Sequence, residues 1–338
     1  MTWRLRSLCP LTLTLIVAIC LPLRGAGAFD CGKAGTAVEK AICANTTLRD
    51  ADDAMSAAYA KLKDASDAAA KESMRISQLR WIRRRENCSS DLVTDLNDCI
   101  GEETAKRQAM LTATAATGPR DGSDLTPWFV QKEGKKGGWD IDLNLVRFAE
   151  PNSAGEALFN REAEALATPA LIENSTLNTA TIAVRKDQIY AKAVSLSPTY
   201  ASRTLISALA EGYDDTGGAH PNTWRRAINI ALEEGRHLNF SDLFAREATG
   251  IVAKVCNDQL VTARKVRTED KTIDLEEGAD IVVLAHVKDL ERWSFWADHA
   301  IISFDPYEIG SYAEGPYECR LEMAKLRTFA VPGAPLPN

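Results

Sequence analysis

The sequence predicts two domains: a small, disulfide-stapled all-α unit, then an α+β unit built on an antiparallel sheet. Three observations carry this. The hydrophobic period is helical before residue 112 and mostly strand-like after 127, with an aperiodic stretch between. Beyond residue 28, four cysteines crowd the helical part and two lie far apart in the rest. A chain of 338 residues, 45% of them hydrophobic, is long enough for two separate cores.

Taken in order, Arg4 and Arg6 precede an apolar run from Leu11 to Leu23, and Ala26-Gly27-Ala28 follows. That order is a secretory signal peptide over 1–28, with cleavage expected between Ala28 and Phe29. The run is too short for an anchor, so no stable membrane span is expected after cleavage. A lipoprotein signal ending at Cys20 is disfavoured by Ile19, where a small residue is needed. The protein is therefore expected to be exported. Loss of Arg4, Arg6 and Arg24 takes the net charge from −7 to −10. So acidic a chain is a poor nucleic-acid binder and suits a basic partner, although negative charge also simply aids solubility. The remaining cysteines, Cys31, Cys43, Cys88, Cys99, Cys256 and Cys319, form an even set that reads as disulfides in an oxidising compartment. The absence of a CxxC pair argues against zinc.

A short helix is expected from Thr36 to Ile42. Leu48, Met55, Tyr59 and Leu62 then recur along one helical face, with Asn45 or Thr46 as cap. A further helix is expected from Ser73 to Glu86, carrying Met74, Leu79, Trp81 and Ile82, and another from Cys99-Ile100 to Met110-Leu111. Helices this few make a thin core that disulfides would reinforce. Four cysteines allow three connectivities. The local pairs Cys31–Cys43 and Cys88–Cys99 are preferred because they bracket a helix and a turn, and a crossed arrangement competes. The helical domain is set at 29–112 and the second domain at 128–338. Between them, 113–127 is rich in Thr, Ala, Gly and Pro and reads as a linker. Strands are expected at 139–148, 176–184, 188–196, 203–211, 223–232, 293–304 and 316–323, and helices at 153–173 and 246–265. Trp224, Arg226, Ile228, Ile230 and Leu232 alternate with Arg225, Ala227 and Asn229. Cys256 would bridge to Cys319.

Two segments concentrate functional side chains. Tyr213, Asp214, Asp215, His220 and Asn222 surround a Gly217-Gly218 turn. They would suit a cation, a sugar hydroxyl or an acid/base pair, while a plain hairpin loop explains the same residues. Tyr307, Tyr312 and Tyr317 interleave with Asp305, Glu308, Glu314 and Glu318, which suits a contact surface or sugar stacking, or ordinary packing. Lys71, Arg75, Arg80, Arg83, Arg84 and Arg85 make a basic face, open to an anionic polymer or paired with acids. His237, His286 and His299 stand apart and read as ordinary structural or surface histidines. With no GxSxG, Walker A, GxGxxG or HExxH, no catalytic residue, metal site or cofactor is expected.

The first domain resembles the N-terminal domain of the lysozyme-inhibitor LprI family. The resemblance rests on Phe29-Asp30-Cys31, Val38-Glu39-Lys40-Ala41-Ile42-Cys43, Leu48, Ala58-Tyr59, Leu62, Leu79, Trp81, Arg84, Cys88, Cys99-Ile100, Arg107 and Leu111. Thr104 departs from it, standing near the family's tyrosine. The second domain is similar to the extracellular domain of RsiV anti-sigma factors, also attached to some peptidoglycan deacetylases. That resemblance rests on Gly212-Tyr213, Gly217 to Asn222, Gly235, Leu238, Asp242-Leu243-Phe244 and Ile302 to Gly315. Together they imply a non-catalytic binding protein whose partner is a c-type lysozyme or related muramidase. They also imply the periplasm, with secretion as the alternative. Peptidoglycan binding is the second reading, and a wall-modifying enzyme using Asp214, Asp215 and His220 the third.

Overall fold

The computed structural model describes residues 30–90, 93, 95–119, 125–133, 139–179 and 190–337, of which 170–179 as backbone only. The signal peptide expected at 1–28 lies outside them. Four helices open the described chain: α1 (Ala37–Ala44), α2 (Thr46–Ala65), α3 (Ala68–Arg85) and α4 (Leu96–Thr112). Each has a side-chain cap. Thr36 and Glu39 form a capping box on α1, and Asn45, Asp67 and Asp95 cap α2, α3 and α4. The core is thin, as expected. One cluster holds Val38, Ile42, Leu48, Cys88 and Ile100, and another Met55, Met74, Trp81 and Leu111. The disulfides are the local pairs, Cys31–Cys43 and Cys88–Cys99. Each is worth about 2–4 kcal/mol, comparable to burying one or two large side chains. Inside this core Arg85 donates to Asp52 at 2.6 Å and lies over the Trp81 ring. Thr104, the departure from the family pattern, also faces Arg85.

The stretch read as a linker does more than connect. Ala113 and Ala115 are buried, and residues 116–117 run beside the end of a later strand. The Ala116 and Thr117 amides donate to the carbonyls of Pro198 and Thr199, and the Ala201 amide donates back to Thr117. Small residues permit this approach, since a side chain at Gly118 would meet the Ala201 backbone.

A six-stranded sheet follows, in the order β1 (Leu125–Glu133), β2 (Trp139–Phe148), β3 (Tyr190–Ala201), β4 (Leu205–Asp215), β5 (Asn222–Ala231) and β6 (Arg236–His237). It is antiparallel except for β2 and β3, which are parallel and joined through α5 (Ala154–Thr179). β1 thus starts within the stretch expected to link the domains. Part of another expectation fails: residues 176–179, read as the start of a strand, end α5, while 180–184 lie outside the described residues. A nucleated helix propagates through Thr and Asn despite their poor propensity. Next come α6 (Phe240–Leu243), α7 (Ala248–Arg267), α8 (Ala279–Lys288), the strands β7 (Trp293–Phe295), β8 (His299–Phe304) and β9 (Tyr317–Glu322), and α9 (Met323–Leu326). The single strand expected at 293–304 is a hairpin, closed by the Trp296 amide donating to His299. Cys256 on α7 bridges Cys319 on β9.

Ile141, Leu143 and Leu145 of β2 share one face of the large sheet with Ile228 and Ile230 of β5, packed with Phe159 and Ala163 of α5. Over β4 and β5 the opposite face carries the small sheet. There Asn229 donates to the Leu290 and Trp293 carbonyls, and the Phe295 amide donates to Ser207. Over β2 that face carries α3. Arg80 pairs with Asp140 and donates to the Ile141 carbonyl, Arg84 reaches Asp142 at 2.6 Å, and Ser77 reaches Asn144 at 2.5 Å. Burial alone would raise the Asp142 carboxyl, but Arg84 and Arg80 outweigh it and hold it below the ordinary range. Burial, with Arg84 close by, pulls Arg107 down to about 10. The basic face of α3 is therefore largely paired with acids: Arg80, Arg84 and Arg85 as above, and Arg75 with Glu72.

Candidate functional site

Both segments singled out in the sequence meet at one end of the sandwich. Asp305-Pro306-Tyr307-Glu308 forms a turn closed by the Glu308 amide donating to the Asp305 carbonyl at 3.2 Å. Tyr307, its third residue, has φ +71°, the left-handed value a type II turn demands there. Glycine is the usual occupant, and a bulky residue costs about 1–2 kcal/mol. The surrounding charges hold the turn nonetheless. Asp305 accepts from the Arg225 amide at 2.8 Å and from the Arg226 and Arg292 guanidinium groups at 2.9 Å each. Glu308 accepts from the Asp305 amide and from Arg292, and faces His286 at 3.4 Å. Burial opposes ionisation of Glu308, but His286 and the Asp305 amide prevail and its pKa lies below the usual value.

The Tyr307 ring is left outside, 64% exposed. Its hydroxyl lies 2.9 Å from Nε2 of His220 on the β4–β5 loop. His220 Nδ1 is 3.0 Å from the Pro221 carbonyl, which can only accept, so Nδ1 carries a hydrogen. In the neutral ring, Nε2 then accepts from Tyr307. The His220 ring stacks on Tyr312 with centroids 3.5 Å apart, and the Tyr312 hydroxyl donates to the same Pro221 carbonyl at 2.7 Å. Tyr213, 38% exposed, lies near the end of β4; partial burial and hydrogen-bonded Asp215 push its phenol up. Asp215 accepts from the Gly217 amide at 2.9 Å.

Tyr213, Asp215, His220, Tyr307 and Tyr312 are therefore brought together at this end, with Asn222 exposed where β5 begins. The other three expected site residues serve the scaffold. Asp214 is held by Lys192 at 3.1 Å and by the Trp224 indole at 3.2 Å. That indole lies across Gly212, where a Cβ would occupy the ring. Glu308 braces the Tyr307 turn. Glu314 accepts from Arg264 at 2.9 Å, the Ser311 amide at 2.8 Å and the Tyr317 hydroxyl at 2.7 Å. Arg264 above all drives its carboxyl down to about 2. Burial, then Glu314, raises Tyr317 to about 12. The arginines that organise the site, Arg225, Arg226, Arg264 and Arg292, were not among the expected site residues. Arg226 did carry a signal, standing on an otherwise apolar strand face where a cation needs a partner.

As an acid/base device the cluster is poorly arranged. Both His220 ring nitrogens contact Tyr307 and Pro221 rather than Asp214 or Asp215. Among the described residues no group of three or more His, Cys, Asp or Glu is placed to hold a metal ion. What the arrangement offers is a braced aromatic surface with a carboxylate beside it. The isolated histidines are structural or surface groups: His286 stacks on Phe304, His299 on Trp296, and His237 faces Glu162.

Comparison with known family models matches one segment in each half of the chain. Residues 30–111 match the family model for the lysozyme inhibitor LprI, and residues 241–324 match that of DUF3298, a family of unknown function. No curated protein matches the chain. Among solved structures it is similar to a DUF3298 family protein of Bacteroides fragilis NCTC 9343, at 15% identity and TM-score 0.40, over 61% of this chain and 93% of that one. It is also similar to a DUF3298 family protein of Pseudomonas aeruginosa PAO1, at 17% identity and TM-score 0.42, over 63% and 96%. The helical segment is thus similar to a lysozyme-inhibitor family, and it is joined to a segment similar to a family of unknown function.

Proposed function

We propose that this is an exported, non-catalytic protein that binds and inhibits a c-type lysozyme or a related muramidase, most simply in the periplasm. The observation that carries the reading is the match of residues 30–111 to the lysozyme-inhibitor family. Three disulfides favour an oxidising compartment, and among the described residues no helix is long and apolar enough to cross a membrane. The acidic chain would draw a basic enzyme by long-range steering. In this proposal the helical domain is 29–112, the second domain 128–338, and the contact surface includes Tyr213, Asp215, His220, Tyr307 and Tyr312. The test is lysis of lysozyme-sensitive cells with and without the oxidised full chain. Concentration-dependent protection is expected, and none at large molar excess of folded protein overturns the reading. Exposed Tyr213 and Tyr307 rings favour one other reading, peptidoglycan binding through sugar stacking. Sedimentation with purified sacculi separates it from the first.

A further inference from the structure

A tyrosine at a glycine position, pushed outward and tied by its hydroxyl to a second loop, is a poor solution for folding alone. The chain tolerates Tyr307 there because Asp305 and Glu308 fix the turn through the Arg225 amide and three side chains, Arg226, Arg292 and His286. The ring contributes little burial in return, being 64% exposed against 38% for Tyr213. Tyr312 links those two. Its ring lies 5.7 Å from that of Tyr307, and its phenol is among the groups that keep the Tyr213 hydroxyl protonated.

The charge around this edge has a definite sign. Arg225 is matched by Glu211 and Glu318, Arg226 by Asp305, Arg292 by Asp305 and Glu308, and Lys192 by Asp214. Asp215 is held by the Gly217 amide and the Tyr213 phenol, and so adds negative charge beside the Tyr213 ring. Aromatic faces and a carboxylate together attract a guanidinium or ammonium group rather than an anion.

We infer that Tyr307, with Tyr213 and Asp215, forms an anchoring surface for an arginine or lysine side chain of a basic protein partner. This rests on the muramidase-binding reading and names the chemistry by which the second domain takes part. Tyr307 is the anchor, and His220 and Tyr312 are positioning residues that hold its hydroxyl and the loop beneath it.

The test uses the oxidised full chain and its variants Y307G, Y307F and D215N, titrated calorimetrically at physiological salt with a c-type lysozyme and, separately, with hexa-arginine. Thermal melting is recorded alongside. Y307G should melt no lower than wild type, because glycine suits the turn, so lost binding is not lost folding. It is expected to weaken lysozyme binding at least tenfold. Y307F keeps the ring, drops the bond to His220 and should lose about threefold, and D215N should fall between. If wild type and Y307G bind lysozyme equally, the surface is wrong and the muramidase reading survives. Should wild type ignore lysozyme but bind hexa-arginine in a Tyr307-dependent way, the reading fails and the surface stands. Binding of neither probe overturns both. Binding of soluble peptidoglycan fragments that Y307G abolishes, with lysozyme binding intact, replaces the cation surface by a sugar platform.

Discussion

The seam between α3 and β2 and the Tyr307 loop end are built from the same materials, arginines against aspartates, with opposite results. At the seam the charges face each other across two packed elements, and Asp142 and Asn144 are buried. At the loop end Asp305 gathers Arg226 and Arg292 under a turn, and the ion pairs push an aromatic ring into solvent. One network closes a surface and the other holds one open. The difference lies in what covers the acid: a helix in the first case, a four-residue turn in the second. A buried charge must be matched or the fold suffers, whereas an exposed side chain on a braced turn is free to serve a partner.

This contrast is broken most severely at Asp142. Replacing it by Ala would leave buried Arg80 and Arg107 facing an unfilled space, while Arg84, 48% exposed, can turn to water. Removing one partner of such a pair costs about 3–5 kcal/mol. The expected outcome, read by denaturant unfolding, is a loss of that order or the appearance of a separate early transition as α3 leaves β2. The pH dependence follows from the lowered Asp142 carboxyl. A depressed folded pKa contributes stability above the unfolded aspartate value and loses it as pH falls through the folded value. The seam should therefore weaken below about pH 4. D142N should flatten that limb of the stability–pH curve.

Asp305 is the corresponding residue at the loop end, and its loss should cost less. Asp305→Ala removes three accepted hydrogen bonds, two of them charge-assisted, beneath a partly exposed turn. About 1–3 kcal/mol is expected, with the core intact, because Arg292 keeps its pair with Glu308 and Arg226 can reach water. Lysozyme binding should fall further than stability, since Tyr307 would lose its support. Equal losses in D305A and D142A would end the distinction between the two networks. A separate acid effect should come from Glu314, held at about 2 by Arg264 against an ordinary 4.5. Its contribution is present above pH 4.5 and fades towards pH 2. E314Q should remove it, as fluorescence of the acid-titrated protein would reveal.

The same contrast explains what was legible in the sequence. Helices and most strands follow from periodicity because their apolar faces are continuous: Ile141, Leu143 and Leu145 announce β2 without help. Its other face, Asp140, Asp142 and Asn144, reads as solvated yet is closed by α3. Alternation reports that a face is polar, and only the matching arginines forty and more residues away decide whether it is wet. In the aperiodic stretch at 113–119 the small residues likewise permit a close approach to β3 that composition does not announce. At the candidate site the aromatic and acidic residues stood out by composition. Their division into surface and scaffold did not, because it depends on Arg226, Arg264 and Arg292, brought in by separate elements. The strain at Tyr307 was likewise hidden, although Asp305 and Pro306 before it fit a turn.

The smallest expected effect is the most discriminating. For a residue kept for packing, Tyr307→Gly would be destabilising, because it deletes a ring and its bond to His220. For a residue kept for contact, the relief of a left-handed φ offsets the loss of a ring that is 64% exposed. The net change should then lie between zero and about 1 kcal/mol in favour of the variant. Equilibrium urea unfolding of wild type and Y307G, with unchanged denaturant slopes, would resolve a difference of that size. A loss of 2 kcal/mol or more would make Tyr307 part of the fold, and the open surface would become one more closed network.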